Sequence, residues 1–494
     1  MTFQELTLSV WQDSMKHGMM TLNSKLAEIA RVVRKTCLLG MLVATMLLLC
    51  SCTDSPLDPD KPVTLTMWHV YGAQARSPMN ILIDRFNQTV GKEQGIIINV
   101  TSVSSTWNIH DELVASAREE PGSEELPDLF TCYPKTLAII GNSRVLDWKK
   151  YFSEEELQNY VPAFLEEGMM DGALYGFPFA KSTNLLYVND TLFEPFSRET
   201  GISYADLSTL EGVFRASARY YEWSGGKSFF MYDDWMHYAI LNSESLGEPF
   251  FEKENIRWDN PALLKLWRPL AKAAVNGQLW LNPGYNSTVM MMGEVVCGVG
   301  SSAAVLYYND TLTLKDNSTL PLRLTILPDP RFEGAKRLDI QRGSSLYARA
   351  STPKKEYAAA VFCKWLTSPE INFSLAVQGG YMPVQKEAFQ RLKQAEDADF
   401  SHDRYKQAYK VLLSLYETST FVSVPAFENY GELEKQFGAA LRDVLSSYRG
   451  TRYSGEGDPE SVVRASLTQM KKTFSRAFSA MCGCYAISSI YSFF

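Results

Sequence analysis

From residue 63 onward, apolar positions switch between a period of two and a helical period, so strands and helices are expected to alternate. Val63-Thr-Leu-Thr-Met-Trp68 alternates cleanly and predicts a strand with one buried face. Ser77-Pro78 supplies an N-cap and a proline at the first helical position, and Met79, Leu82, Ile83, Phe86 and Val90 follow at helical spacing. Ile96-Ile-Ile-Asn-Val100 is nearly all apolar, so the three segments read as a βαβ unit whose parallel strands are buried on both faces. The loop from Val70 to Arg76 then lies at the carboxyl end of a strand, where open α/β sheets hold ligands.

The alternation continues with a helix from Trp107 to Arg118, a short strand at Pro127-Asp-Leu-Phe130, a helix from Thr136 and a capping box at Ser153-Glu-Glu-Glu156. Two short β-like runs between Gly172 and Asn189 flank a polar corner, Lys181-Ser-Thr-Asn184. Amphipathic pieces at Leu210–Tyr221, Trp235–Leu241 and Leu263–Val275 predict a second α/β lobe, and Arg323–Pro328 reads as a strand returning the chain to the first. Thr352-Pro353 and Ser368-Pro369 each start a helix. Gly379-Gly380 ends the second of these and fixes Tyr381 on a turn, as a core plug or as a ring facing a ligand. Leu433, Phe437, Ala440, Leu441, Val444 and Leu445 share one face of a last clear helix.

The N-terminal stretch changes the picture. Arg31, Arg34 and Lys35 precede an apolar run from Cys37 to Leu49, too short for a comfortable membrane span and therefore read as a signal peptide rather than a transmembrane anchor. Leu49-Cys-Ser-Cys52 resembles a bacterial lipobox, and Cys52, preceded by the small Ser51, is the expected lipidated residue. Residues 52–62 are polar and proline-rich, a tether. The rest of the 494 residues suffices for two or three domains. A net charge of −8 and no basic run in the mature part argue against nucleic acid as a partner. Cys132, Cys297 and Cys363 stand singly in apolar contexts as small buried hydrophobes, while Cys482 and Cys484 sit in an apolar tail, 477–494, to which no role is assigned.

Four blocks of the chain resemble the extracellular solute-binding proteins of bacterial ABC importers, in the group with carbohydrate and glycerol-3-phosphate binders. They are Leu65-Thr-Met-Trp-His69 with Asp84-Arg-Phe-Asn87; Gly176-Phe-Pro-Phe through Leu186-Tyr-Val-Asn189; Gly293-Glu through Gly300-Ser-Ser302; and Ala358 to Pro383. The resemblance implies an α/β, two-lobed, periplasmic-binding-protein-like fold with a ligand cleft between lobes and hinge crossings near 185–190, 320 and 378. The lobes would be 63–187 with 322–378 and 188–321 with 379–476. It implies a monomeric, non-enzymatic lipoprotein on the outer face of the cytoplasmic membrane, or in the periplasm, handing a sugar or other small polar solute to an ABC permease.

At the family's loop positions, residues suited to sugar rings and hydroxyls are His69, Tyr71, Trp107 and Tyr133 from the first lobe, Ser182 and Thr183 at the corner, and Trp235, Ser301 and Ser302 from the second. Arg342, Gly343, Tyr381 and Glu428 come from later in the chain. Two departures bear on the ligand. Leu210 stands where many relatives have a stacking tryptophan, so Tyr204, Trp223 or Trp235 would have to supply the ring. Ser423–Tyr430 carries Glu428 and no Arg or Lys where the glycerol-3-phosphate branch has a basic residue, which favours a neutral sugar over a glycerol phosphate or phosphodiester. A glycan-binding or sensory surface lipoprotein without transport, and a hydrolase on a similar body, are the other readings. No cofactor and no metal site is expected, because the histidines show neither a metalloprotease pattern nor zinc-like spacing. Asp233-Asp234 reads as a solvated pair or a helix N-cap rather than a catalytic pair.

Overall fold

A computed structural model describes residues 55–71, 77–102, 106–449 and 459–491, which from Leu57 onward belong to one unit. The expected signal peptide and Cys52 lie outside the described residues. In chain order the strands of the two main sheets are β1 (Val63–His69), β2 (Ile96–Ser102), β3 (Leu129–Cys132), β4 (Phe177–Pro178), β5 (Asn184–Asn189), β6 (Phe230–Tyr232), β7 (Cys297–Ser301), β8 (Leu324–Pro328) and β9 (Ser345–Ala348). The first sheet runs β2-β1-β3-β9-β4 and the second β8-β5-β7-β6.

The βαβ unit forms as its pattern requires. β1 alternates buried and exposed positions over its first four residues, pairs in parallel with β2 from Val63↔Ile96 to His69↔Ser102, and is joined to it through helix α1 (Pro78–Gln88). Ser77 caps α1 by accepting the Asn80 N–H, and Met79, Leu82, Ile83 and Phe86 turn inward. β5 is buried along its whole length because both its faces are covered: Leu185 and Tyr187 pack in one core with Val305, Tyr308 and Ile326, Leu186 and Val188 in a second with Val213, Phe230 and Val299. Leu210 and Phe214 belong to that second core, so the departure from tryptophan at 210 leaves a core residue.

One expectation about the path of the chain needs correction. β8 does not return to the first sheet but pairs antiparallel with β5 from Leu324↔Asn189 to Pro328↔Leu185. The chain thus passes from second sheet to first between Pro328 and Ser345, and from first to second between Pro178 and Asn184. Within 379–476, Phe389, Tyr409 and Leu412 share one core with Leu185 and Ile326, and Leu433, Phe437 and Leu441 share the other with Leu186 and Val188. The strand expected at 127–130 sits two residues later, its register set by β1 and β9 on either side.

The passages between sheets run side by side. Ser182 and Arg342 exchange backbone hydrogen bonds of 2.9 and 2.8 Å, and the Met382 N–H donates to the Lys181 carbonyl at 2.6 Å. Gly343, at φ +89°, passes so close to this bundle that a β-carbon there would lie 2.3 Å from the Ala180 oxygen. Arg331, between the ladders, is buried with Asp329 at 2.9 Å and Asp339 at 3.0 Å. Among the described residues no helix is long and apolar enough to cross a membrane.

Candidate functional site

Two adjoining cavities, of about 870 and about 150 Å³, share His110, Asp233, Asp234 and Glu434 in their walls. Further lining comes from the carboxyl ends of β1 and β3 (Val70, Tyr133), from α2 (Thr106–Ala117), from α3 (Trp235–Ser245) and α4 (Tyr430–Ser447), and from Tyr285, Arg342 and Glu428. Strand ends and helix beginnings converge there, as in other open α/β sheets.

Of the residues chosen by sequence, Tyr133 and Arg342 line the smaller cavity, and Trp235 and Glu428 the larger. Trp235 is 4% exposed and is held against Tyr232 and Tyr238, so it closes a wall rather than offering a face. Tyr71 and Tyr381 are buried and meet edge to face at 5.7 Å, with the Tyr71 hydroxyl 2.8 Å from Ser344, itself in the smaller cavity's wall. His69 lies behind them, its Nε2 2.9 Å from Asn80 Oδ1 and its Nδ1 accepting the Tyr71 N–H, and burial lowers its pKa to about 4. Neutral and enclosed, it holds Tyr71 just after β1.

The corner residues are also braces. Thr183 donates to the Ile340 carbonyl at 2.8 Å, Ser302 to the Gly380 carbonyl at 2.7 Å, and Ser301 to Ser182 Oγ at 3.2 Å. With Gly343 they fasten the passages between sheets and line neither cavity. Trp107 falls in the first turn of α2, and its side chain lies outside what is described. Neither Tyr204 nor Trp223 reaches the cavities: Tyr204 packs on Phe193 and donates to Asp190, and the Trp223 indole N–H donates to Glu199.

What the sequence reading passed over is the charged floor. Asp234 is a helix N-cap as anticipated, its Oδ1 accepting from Met236 and His237. Asp233 is no solvated partner: it accepts the Asn286 backbone N–H at 2.7 Å and that residue's side-chain amide at 2.9 Å. Burial, against those two bonds, raises its pKa to about 7. Glu434 is likewise raised to about 7 by burial and by Asp234, although Lys135 donates to it at 2.6 Å. Burial lowers His237 to about 4. Arg342 completes the floor, its Nη1 donating to Asn184 at 2.8 Å. One signal pointed here: Asp233-Asp234 directly follows the apolar run Phe229–Tyr232, the same strand-end position that selected Tyr133.

Two further rings went unnoticed, Tyr285 in the smaller cavity's wall at 59% exposure and Tyr307 at 45%. They lie close enough to interact electrostatically with each other and, for Tyr285, with Asp233 and Arg342. Carboxyl groups that titrate near neutrality donate as well as accept hydrogen bonds, and beside open tyrosine faces they suit a ligand made of hydroxyls and apolar ring faces.

A family model described as bacterial extracellular solute-binding protein matches residues 82–403. Among curated proteins no sequence matches. Solved structures share the fold: the cyclic α-maltosyl-1,6-maltose binding protein of Arthrobacter globiformis (TM-score 0.60, 16% identity, covering 84% of this chain and 100% of that one); maltose-bound MalE3 of T. maritima (0.60, 16%, 83% and 99%); and UgpB of Mycobacterium tuberculosis with glycerophosphocholine (0.60, 15%, 84% and 99%).

Proposed function

We propose, from the premise that the chain belongs to the bacterial extracellular solute-binding proteins, that it captures a neutral carbohydrate in the cleft between its two sheets for import. The observation that carries this reading is the wall of the smaller cavity, where Asp233, Asp234 and Glu434 stand beside the half-open ring of Tyr285. A sugar hydroxyl pairs with such carboxyls in either protonation state, whereas a phosphate would meet three acids for two cations, Arg342 and Lys135, one of them already engaged by Glu434.

Tyr133, Tyr285, Arg342 and Asp233 are the contacts we assign to the ligand, with Trp235 and Glu428 walling the larger space. Tyr71, Tyr381, Ser182, Thr183, Ser301, Ser302 and Gly343 act behind them by holding the passages that serve as hinges. Ligand held by one half gains contacts from the other on closure, and that difference shifts the population to the closed form. The closed form docks on an ABC permease; the protein supplies selectivity and no chemistry. Cys52 carries the lipid that keeps this monomer at the outer face of the cytoplasmic membrane, two acyl chains giving stable anchoring.

A glycerophosphodiester is the second reading, supported by the likeness to UgpB with glycerophosphocholine. A thermal-shift screen of the full chain separates them. At about a hundred times its dissociation constant a ligand adds about 2.7 kcal/mol to the folded state. A shift with mono- or oligosaccharides is expected; a shift with glycerophosphocholine or glycerol-3-phosphate alone would overturn the ranking.

A further inference from the structure

Where the two cavities share a wall, three side chains from two helices converge. Asp234 uses Oδ1 to cap α3, at 2.9 Å from Met236 N and 3.1 Å from His237 N, which leaves Oδ2 3.4 Å from His237 Nδ1. On α4, Glu434 gives Oε2 to Lys135 at 2.6 Å and turns Oε1 toward His237 Nε2 at 3.4 Å. One ligand atom from each of the three lies within 4.8 Å of the others. His237 is 7% exposed, and its Nδ1 has no hydrogen-bond partner in the structure. A bare nitrogen in so enclosed a place, facing the Asp234 carboxylate with Glu434 within ligand distance of the same group, is a cost that native structures rarely leave unmet.

We propose that Asp234, His237 and Glu434 bind one divalent transition-metal cation, with zinc the cation their chemistry fits best, and that its open coordination position faces the cavity. The geometry fits at three points. Zinc bonds of about 2.1 Å place tetrahedral ligands roughly 3.4 Å apart, the separation already present between Asp234 and His237. Two carboxylates balance the charge of a divalent ion, and a neutral imidazole with carboxylates is a donor set that zinc accepts. Each carboxylate is also oriented by its second oxygen, Asp234 by the start of α3 and Glu434 by Lys135, the outer support that metal-binding carboxylates have. Spacing along the chain could not show the site, since Glu434 enters from a helix far downstream of Asp234 and His237.

The test uses the full chain, stripped with a chelator and dialysed against micromolar ZnCl₂ with no sugar present, so that it stands apart from the identity of the solute. Elemental analysis should find one zinc per chain. His237→Ala and Glu434→Gln should each weaken retention at least tenfold, while His402→Ala, at a histidine that lines neither cavity, should leave it unchanged. Cobalt(II) in place of zinc should give the intense visible absorption of a tetrahedral site in the wild type and lose it in Glu434→Gln. Glu434→Gln is nearly isosteric and keeps the question answerable should His237→Ala fail to fold. Wild-type protein that retains no zinc, or Glu434→Gln and His237→Ala that retain it as well as wild type, would overturn the proposal.

Discussion

Replacing Tyr285 by alanine should weaken solute binding and leave folding untouched. Tyrosine side chains bury roughly 150–250 Å² when fully covered. With Tyr285 59% exposed, on the order of 90–150 Å² remains open to a ligand. A sugar ring stacking on one face would cover about half of that, about 45–75 Å², which at about 25 cal/mol per Å² contributes about 1–2 kcal/mol. The dissociation constant of the best-binding sugar should therefore rise about 5- to 30-fold, read by isothermal titration calorimetry. Stability should stay within about 0.5 kcal/mol of wild type in urea, since the ring is largely exposed and the N-cap role of Tyr285 belongs to its backbone. A change in affinity below about twofold, or a loss of stability equal to the loss of binding, would refute the assignment of this ring to the ligand.

Other perturbations test the frame around the site. Arg331→Met should cost about 3–5 kcal/mol in urea denaturation, because it leaves the buried Asp329 without its guanidinium partner while Asp339 keeps Arg337; a loss under about 1 kcal/mol would contradict that view. Gly343→Ala should lower stability by about 1–3 kcal/mol in the same assay, since the new β-carbon meets a backbone oxygen and L residues avoid that φ. Asp233, with a folded pKa of about 7, takes up a proton on folding between about pH 4 and pH 7, so its contribution to stability falls as pH rises through that window. Wild type measured against Asp233→Asn should lose relative stability from pH 4.5 to pH 7 and change little above pH 8. Taking the difference removes the opposite slope from His237, whose lowered pKa disfavours the folded state as pH falls from 6.5 toward 4.

Local signals carried the fold a long way. The period-two run at Val63, the Ser77-Pro78 cap and the apolar run at Ile96 each encode their element within a few residues, and the structure forms all three. What local patterning could not carry is partnership. Leu324–Pro328 reads as a strand in either lobe, and only its pairing with β5 decides which. At the site, strand ends were legible for Tyr133 because the apolar run before it is clear, and Asp233 shared that signal. Asp233 is paired with Asn286 and Glu434 with Lys135, contacts that span long stretches of chain and leave no periodic trace. Several residues chosen for their chemistry, His69, Thr183 and Ser302 among them, are hydrogen-bonded within the protein, because buried polar groups need partners.

Capture of a neutral sugar is tested most directly by calorimetric titration of the full chain with linear and cyclic gluco-oligosaccharides beside glycerophosphocholine. A saturable one-to-one isotherm with a neutral sugar, weakened by Tyr285→Ala, is the predicted result. Heat from glycerophosphocholine alone, or from none of these, would contradict it.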